Sequence, residues 1–169
     1  MILEDIDIVP IQQQHNAFIA TIIRTALEEF DANKPGTVYF DKTTDALFEL
    51  FQATPNSQYF VAIHQNNVIG GAGFFPTEGL PNNTCELVKM YVHPSARNIG
   101  LGKKMIQHCM NVANKSGYQK MYLETLPELY KAVKVYENFG FNYLNSPLGN
   151  SGHTDCNIWM IKDIETSFI

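Results

Sequence analysis

The sequence lacks a basic excess, a cysteine framework, a long apolar run and a leader segment, and each absence excludes a class of protein. Its 169 residues hold 12 Lys and Arg against 17 Asp and Glu, a formal charge of −5. A general polyanion binder would show the opposite sign, so nucleic acid is excluded as a partner. Only 17% of the residues are charged and 45% are hydrophobic, which excludes a disordered chain. The three cysteines, Cys85, Cys109 and Cys156, are an odd set without a Cys-x-x-Cys pair. They read as small buried side chains in a reducing cytosol, not as disulfides. No stretch reaches the roughly 18 apolar residues that a membrane span requires. The start MILEDIDIVPIQQQ has no basic segment followed by an apolar one, so no signal peptide is expected. These exclusions predict a cytoplasmic protein, one domain over residues 1–169, burying roughly 70% of the surface its unfolded chain exposes.

What is present is unevenly distributed. Residues 1–80 carry ten acidic and three basic side chains, whereas residues 89–134 carry eight basic ones against Glu124 and Glu128. An anionic ligand is therefore expected in the second half. Hydrophobic periodicity predicts a strand over Ile2–Val9, helices over Gln12–Phe30 and Thr44–Ala53 with a loop between them, and a hairpin of Tyr59–His64 and Val68–Phe75 around Gln65-Asn66-Asn67. A strand over Thr84–Val92, a helix over Gly100–Ser116, a strand over Lys120–Glu124 and a helix over Pro127–Phe139 follow. Strands from Gly140-Phe141 and over Asn157–Lys162 complete the chain. This order predicts a mixed α/β fold that starts antiparallel and continues through crossovers.

The segment from Glu86 to Lys104 carries the chemistry. A strand runs into a Gly-bearing turn and a helix N-terminus, where unpaired amides and the positive dipole end favour a phosphate. Gly100 and Gly102 let the backbone approach an anion, and Arg97, Lys103 and Lys104 add charge. A Walker A loop is excluded, because its first glycine would be Arg97 and its Ser/Thr would be Lys104. A Rossmann fingerprint fails at Met105, although Glu124 lies at a ribose-binding distance, so nucleotide binding stays a minor alternative.

The segment does read Arg97-Asn98-Ile99-Gly100-Leu101-Gly102, an Arg/Gln-x-x-Gly-x-Gly/Ala pattern, and Val135-Tyr136-Glu137-Asn138-Phe139-Gly140-Phe141 follows it. With these motifs the chain resembles the GNAT superfamily of acetyl-CoA-dependent N-acetyltransferases. The motif core spans residues 84–143, and the element order extends the resemblance over nearly the whole chain. The resemblance implies the GNAT-like α/β fold, a central mostly antiparallel sheet with helices on both faces. It also implies acetyl-CoA as cosubstrate, held by backbone at Met90, Tyr91 and Val92 and by the amides of Arg97, Asn98, Ile99, Gly100, Leu101, Gly102 and Lys103. No metal is implied.

Acyl transfer to an amine needs one proton removed from the ammonium and one delivered to the departing thiolate. Tyr136 matches the family's tyrosine acid, although its spacing with Leu129, Ala132 and Val133 alone reads as a core aromatic. Glu86 matches the glutamate base of the histone-acetylating branch. Regular alternation would put 86, 88, 90 and 92 on one face, and a carboxylate paired with a lysine, or ordered water as base, are the alternatives. The family's pantetheine-contacting asparagine is absent, since Leu129 stands there, so its contact is not carried over. Glu28, Glu29, Asp31, Asp41 and Asp45, in the helix-loop-helix that caps the acceptor side in resembling proteins, suggest a small cationic acceptor; the Gly149–His153 loop is a further candidate for lining that side, with a solvent-exposed connector as the default reading. His153, Asp155 and Cys156 offer metal-ligand types without a second cluster and read as a loop. The expected partner is an amine of a small molecule or peptide, acetylated by direct attack; membrane is excluded and a homodimer is left open. A non-catalytic acyl-CoA-binding module of the same fold is the alternative.

Overall fold

The computed structural model describes residues 1–164; the last five residues of the expected 1–169 domain lie outside the described residues. Seven strands form one sheet in the order β1-β2-β3-β4-β5-β7-β6. They are β1 (Asp7–Pro10), β2 (Gln58–His64), β3 (Asn67–Phe75), β4 (Thr84–Val92), β5 (Lys120–Thr125), β6 (Asn142–Leu144) and β7 (Ile158–Asp163). Every neighbouring pair is antiparallel except β4 with β5. The helices are α1 (Asn16–Glu29), α2 (Leu47–Ala53), α3 (Leu101–Lys115) and α4 (Tyr130–Phe139). This is the mostly antiparallel mixed sheet that the sequence implied.

Two apolar layers cover the sheet. On one face Leu101, Met105, Ile106, Cys109 and Met110 of α3, one helical stripe, pack with Phe60, Ala72, Phe74 and Tyr136. On the other, Ile19, Ile22, Ile23 and Leu27 of α1 pack with Leu47, Phe51, Tyr59 and Val61. Each helix ridge meets a strand face of alternate residues, so neither layer closes without the sheet between.

Several elements depart from the sequence pattern for local reasons. Leu3–Asp5 is a 3-10 turn and the first strand begins only at Asp7. Lys104 Nζ donates to the carbonyls of Leu3 and Ile6, each at 3.0 Å, and this draws the chain off the sheet edge. The same contact removes Lys104 from the expected phosphate-binding charge. The hairpin turn is the two-residue Gln65-Asn66, both with positive φ, and Asn67 already pairs with His64. The segment before α2 contains 3-10 turns at Val38–Phe40 and Lys42–Ala46, so α2 starts at Leu47, and α4 is likewise preceded by a 3-10 turn at Pro127–Leu129. Trp159 is half-buried on β7.

Candidate active site

The sheet opens in its middle. β4 and β5 pair at Thr84↔Lys120, Cys85↔Met121 and Glu86↔Tyr122 and nowhere beyond. β4 continues to Val92 and β5 to Thr125, so the two strands diverge as a fork after Glu86. A cleft of about 750 Å³ runs through this fork. Residues of both apolar layers line it, among them Leu27 and Phe51 on one side and Val135 and Tyr136 on the other.

A bulge in β4 sets the direction of the fork. Gly71 pairs with Tyr91 and Gly73 with Val88, so Lys89 and Met90 together oppose Ala72. Lys89 takes φ +49, a costly region for a residue other than glycine. Its carbonyl accepts the Tyr59 hydroxyl at 2.7 Å and its ammonium pairs with Asp41 at 2.6 Å, which hold it there. The bulge breaks the alternation expected from sequence. Leu87, Met90 and Val92 pack toward α3 and α4, whereas Val88 and Tyr91 pack toward α1 and α2. Glu86 therefore does not share a face with Met90 and Val92.

One wall of the cleft comes from Met90 to Lys103. His93 N donates to Ile69 O at 2.8 Å, making a bonded pair. Antiparallel ladders alternate, so at the adjacent Gly70↔Val92 pair the Val92 amide points away from β3 and into the fork. The Val92 carbonyl points the same way and accepts Arg97 Nε at 3.1 Å. Gly100, the residue before α3, has φ +89, which a residue with a side chain adopts only under strain. A Cβ on Gly102 would stand 3.8 Å from both Met90 and Val135, inside the cleft mouth. Met90, Tyr91, Val92, Arg97, Asn98, Gly100, Leu101, Gly102 and Lys103 all line the cleft. Ile99 instead packs its side chain against the core beneath α3. Arg97 Nη1 also pairs with Glu29 at 2.8 Å.

Tyr136 stands where the layers meet. Its ring lies edge-on to Phe141, 5.9 Å between centroids. It is 6% exposed and lines the cleft. Its hydroxyl has no hydrogen bond among the described residues, and burial pushes its pKa up. Leu129, Ala132 and Val135 make the wall beside it apolar.

The opposite wall is polar and assembled from distant segments. Glu86 is 4% exposed. One of its oxygens accepts the Thr77 hydroxyl, and burial, reinforced by the nearby Glu124, pushes its pKa up to about 7. Glu124 accepts the Tyr122 hydroxyl at 2.8 Å and the Ser151 hydroxyl at 2.5 Å. Asp41 is held by Lys89 and by His153 Nε2 at 3.0 Å; these partners outweigh its burial and lower its pKa to about 2. Asn150, Ser151 and His153 line this side, so their loop takes the site-lining alternative and not the default of a solvent-exposed connector. Of the five acidic residues expected there, only Asp41 arrives. Glu28 accepts the Tyr39 hydroxyl, Glu29 pairs with Arg97, Asp45 pairs with Arg24, and Asp31 is exposed at the end of α1. Thr77, Tyr122 and the acceptor-side position of Glu124 carry no local sequence signal, because only tertiary pairing brings them together.

The cysteines are poor nucleophiles. Burial pushes Cys85 and Cys156 to about 12 and Cys109 higher still. Cys156 nonetheless lines the cleft, so its loop is part of the site and not a plain connector.

Residues 22–141 match the acetyltransferase (GNAT) family model. The chain is 36% identical over 153 residues to the uncharacterized N-acetyltransferase YjgM of Escherichia coli, covering 89% of this chain and 90% of that one. Its fold is similar to that of a GNAT-family acetyltransferase from Staphylococcus aureus Mu50, with TM-score 0.82, 20% identity, and coverage of 95% and 99% of the two chains. It is similar in fold also to yncA of Salmonella typhimurium, whose structure contains acetyl-CoA, with TM-score 0.74, 17% identity, and coverage of 98% and 97%.

Proposed function

Because the chain belongs to the GNAT family, it is an acetyl-CoA-dependent N-acetyltransferase, and we propose that residues 1–169 act as one domain acetylating a primary amine of a small molecule or peptide by direct attack. The observation that carries this reading is the fork. Beyond Glu86↔Tyr122 the facing edges of β4 and β5 leave backbone groups without a strand partner, among them the Val92 amide, beside a cleft that ends at a buried carboxylate. Those edges suit the amide-rich pantetheine arm of acetyl-CoA, and the amides from Asn98 to Lys103 at the α3 N-terminus suit its phosphates.

When bound, acetyl-CoA supplies an acetyl group whose C–S bond breaks as the C–N bond to the amine forms. Glu86 takes the proton from the ammonium. A carboxylate near pKa 7 is ionised in a useful fraction at neutral pH and is more basic than an exposed glutamate, whose usual value is about 4.3. The Val92 amide faces the oxygen that gains charge. Tyr136 gives its phenolic proton to the leaving sulfur; its unpartnered hydroxyl on the cleft wall favours this role over that of a core aromatic. The raised thiol pKa values of all three cysteines favour direct attack over an acyl-cysteine route.

The test is release of free thiol from acetyl-CoA in the presence of a panel of primary amines. Amine-dependent thiol release is expected, and Tyr136→Phe is expected to lower kcat about a hundredfold with little change in the KM for acetyl-CoA. Thiol release that no amine accelerates, with acetyl-CoA still raising the Tm, would point instead to a binding module. An unchanged kcat in Tyr136→Phe would remove the acid role.

A further inference from the structure

Two carboxylates in the fork, Glu86 and Glu124, have no cation in contact with them among the described residues. Asp41 has Lys89 and His153, but Glu86 and Glu124 accept hydrogen bonds only from neutral hydroxyls, those of Thr77, Tyr122 and Ser151. Neither forms an ion pair among the described residues. Lys89 and His153 are in contact with Asp41 and act on Glu86 only from further off, so the repulsion between buried Glu86 and partly buried Glu124 favours a ligand cation between them. In the same cleft, the second oxygen of Glu86 and the Tyr136 hydroxyl have no hydrogen-bond partner among the described residues, although both residues are more than nine-tenths buried.

One ammonium does not satisfy this arrangement through the reaction. Once Glu86 has taken a proton from the acceptor nitrogen, both become neutral and Glu124 remains an unmatched anion. Glu124 is held for a separate partner: hydroxyl donors occupy one site on each oxygen, leaving the others free. Glu86 pairs with Tyr122, and Glu124 lies two residues further along β5 where the strands diverge, so strand rise and strand spacing put the two Cα atoms at least about 8 Å apart. Phe75, Val88 and Leu126 line the cleft beside them and suit methylenes.

Resting on the acetyltransferase reading above, we propose that the acceptor is a short primary diamine, with the reacting nitrogen delivered to Glu86 and the second ammonium held by Glu124 in the cup of Tyr122 and Ser151. The test compares 1,4-diaminobutane, 1-aminobutane and 4-aminobutanoate, which share a carbon chain and differ only in the far group. The kcat/KM of the diamine is expected to exceed that of the monoamine at least tenfold, with the amino acid below both. In Glu124→Gln, and more weakly in Ser151→Ala, the diamine should lose more than the monoamine, so that their ratio falls toward one. Circular dichroism verifies folding of each variant, and the ratio, unlike absolute activity, does not move with a general loss of structure. A monoamine or amino acid used as well as the diamine overturns the diamine assignment while leaving the acetyltransferase reading intact. A diamine preference that persists in both variants overturns the role of Glu124. Absence of thiol release with every amine overturns the acetyltransferase reading itself.

Discussion

The two walls of the cleft are built by opposite means. The wall from Met90 to Lys103 is one continuous run in which a strand end, a turn and a helix N-terminus present backbone amides. The wall opposite takes Asp41, Thr77, Glu86, Lys89, Glu124, Ser151 and His153 from separate segments and presents side chains. The first suits a ligand common to many enzymes, recognised by amide and phosphate groups that every backbone can bind. The second suits a ligand particular to this chain, since each of its side chains can change without altering the turn proposed to hold the cofactor.

The largest effect that separates the walls is expected from Glu86→Gln. Loss of the proposed base should lower kcat/KM for the amine about a hundredfold while acetyl-CoA binding stays within about twofold. The wild-type pH profile should climb through about 7, where Glu86 ionises, and level off above it; in the variant that limb should vanish. Stability provides an independent readout. The folded pKa of Glu86 lies above the ordinary value, so the native state holds a proton that the unfolded chain has released, and stability falls as pH rises from about 4.5 to about 7. Glu86→Gln removes that penalty and should raise the Tm relative to wild type more at pH 8 than at pH 5. A limb near pH 7 that survives in the variant would assign the base to another group.

How much of each wall could be read from sequence follows from how it is built. Arg97 to Lys103 was legible because a turn and a helix start depend on neighbouring residues, and the glycines fall where the backbone needs them. Glu86 was legible by its place in the strand, but the argument for its face was not sound: the bulge at Lys89 reverses the alternation, and it is held by Tyr59 and Asp41 from far along the chain. Thr77 left no local trace, Glu124 was noticed only at a ribose-binding distance, and Ser151 only as part of its loop, because their placement depends on which segments the fork brings together. The acidic cluster before α2 misled for the same reason. Its members are close in sequence, yet Glu29 turns to Arg97, Asp45 to Arg24 and only Asp41 to the cleft.

A smaller effect should isolate the backbone wall from the fold that carries it. Gly102 lies in the first turn of α3, where alanine is the better helix former by roughly 0.5–1 kcal/mol. Its Cβ would meet only ordinary contacts within the protein. Gly102→Ala should therefore keep or slightly raise the Tm. The same methyl group would project into the cleft mouth between Met90 and Val135, and crowding of this kind typically costs 1–3 kcal/mol, so acetyl-CoA affinity measured by calorimetry should fall about tenfold. Unchanged affinity would mean that the cofactor passes the helix start at a distance.

The smallest effect tests whether the walls are as separate as their construction suggests. Glu29, at the end of α1 on the face of the acceptor side, reaches across to Arg97 on the cofactor wall at 2.8 Å, and its own carboxyl is lowered by that guanidinium. The pair is partly exposed, and such pairs contribute only about 0.2–1 kcal/mol. If Arg97 serves the phosphates, Glu29 competes with them for it and adds a repulsive charge nearby. Glu29→Gln should then tighten acetyl-CoA binding about two- to fivefold, with the gain shrinking as salt is raised. Arg97→Gln should weaken it in both backgrounds. Weaker binding in Glu29→Gln would reverse the interpretation: Glu29 would be holding Arg97 in place for the cofactor, and the α1 end would belong to the backbone wall as its one contribution from a distant segment.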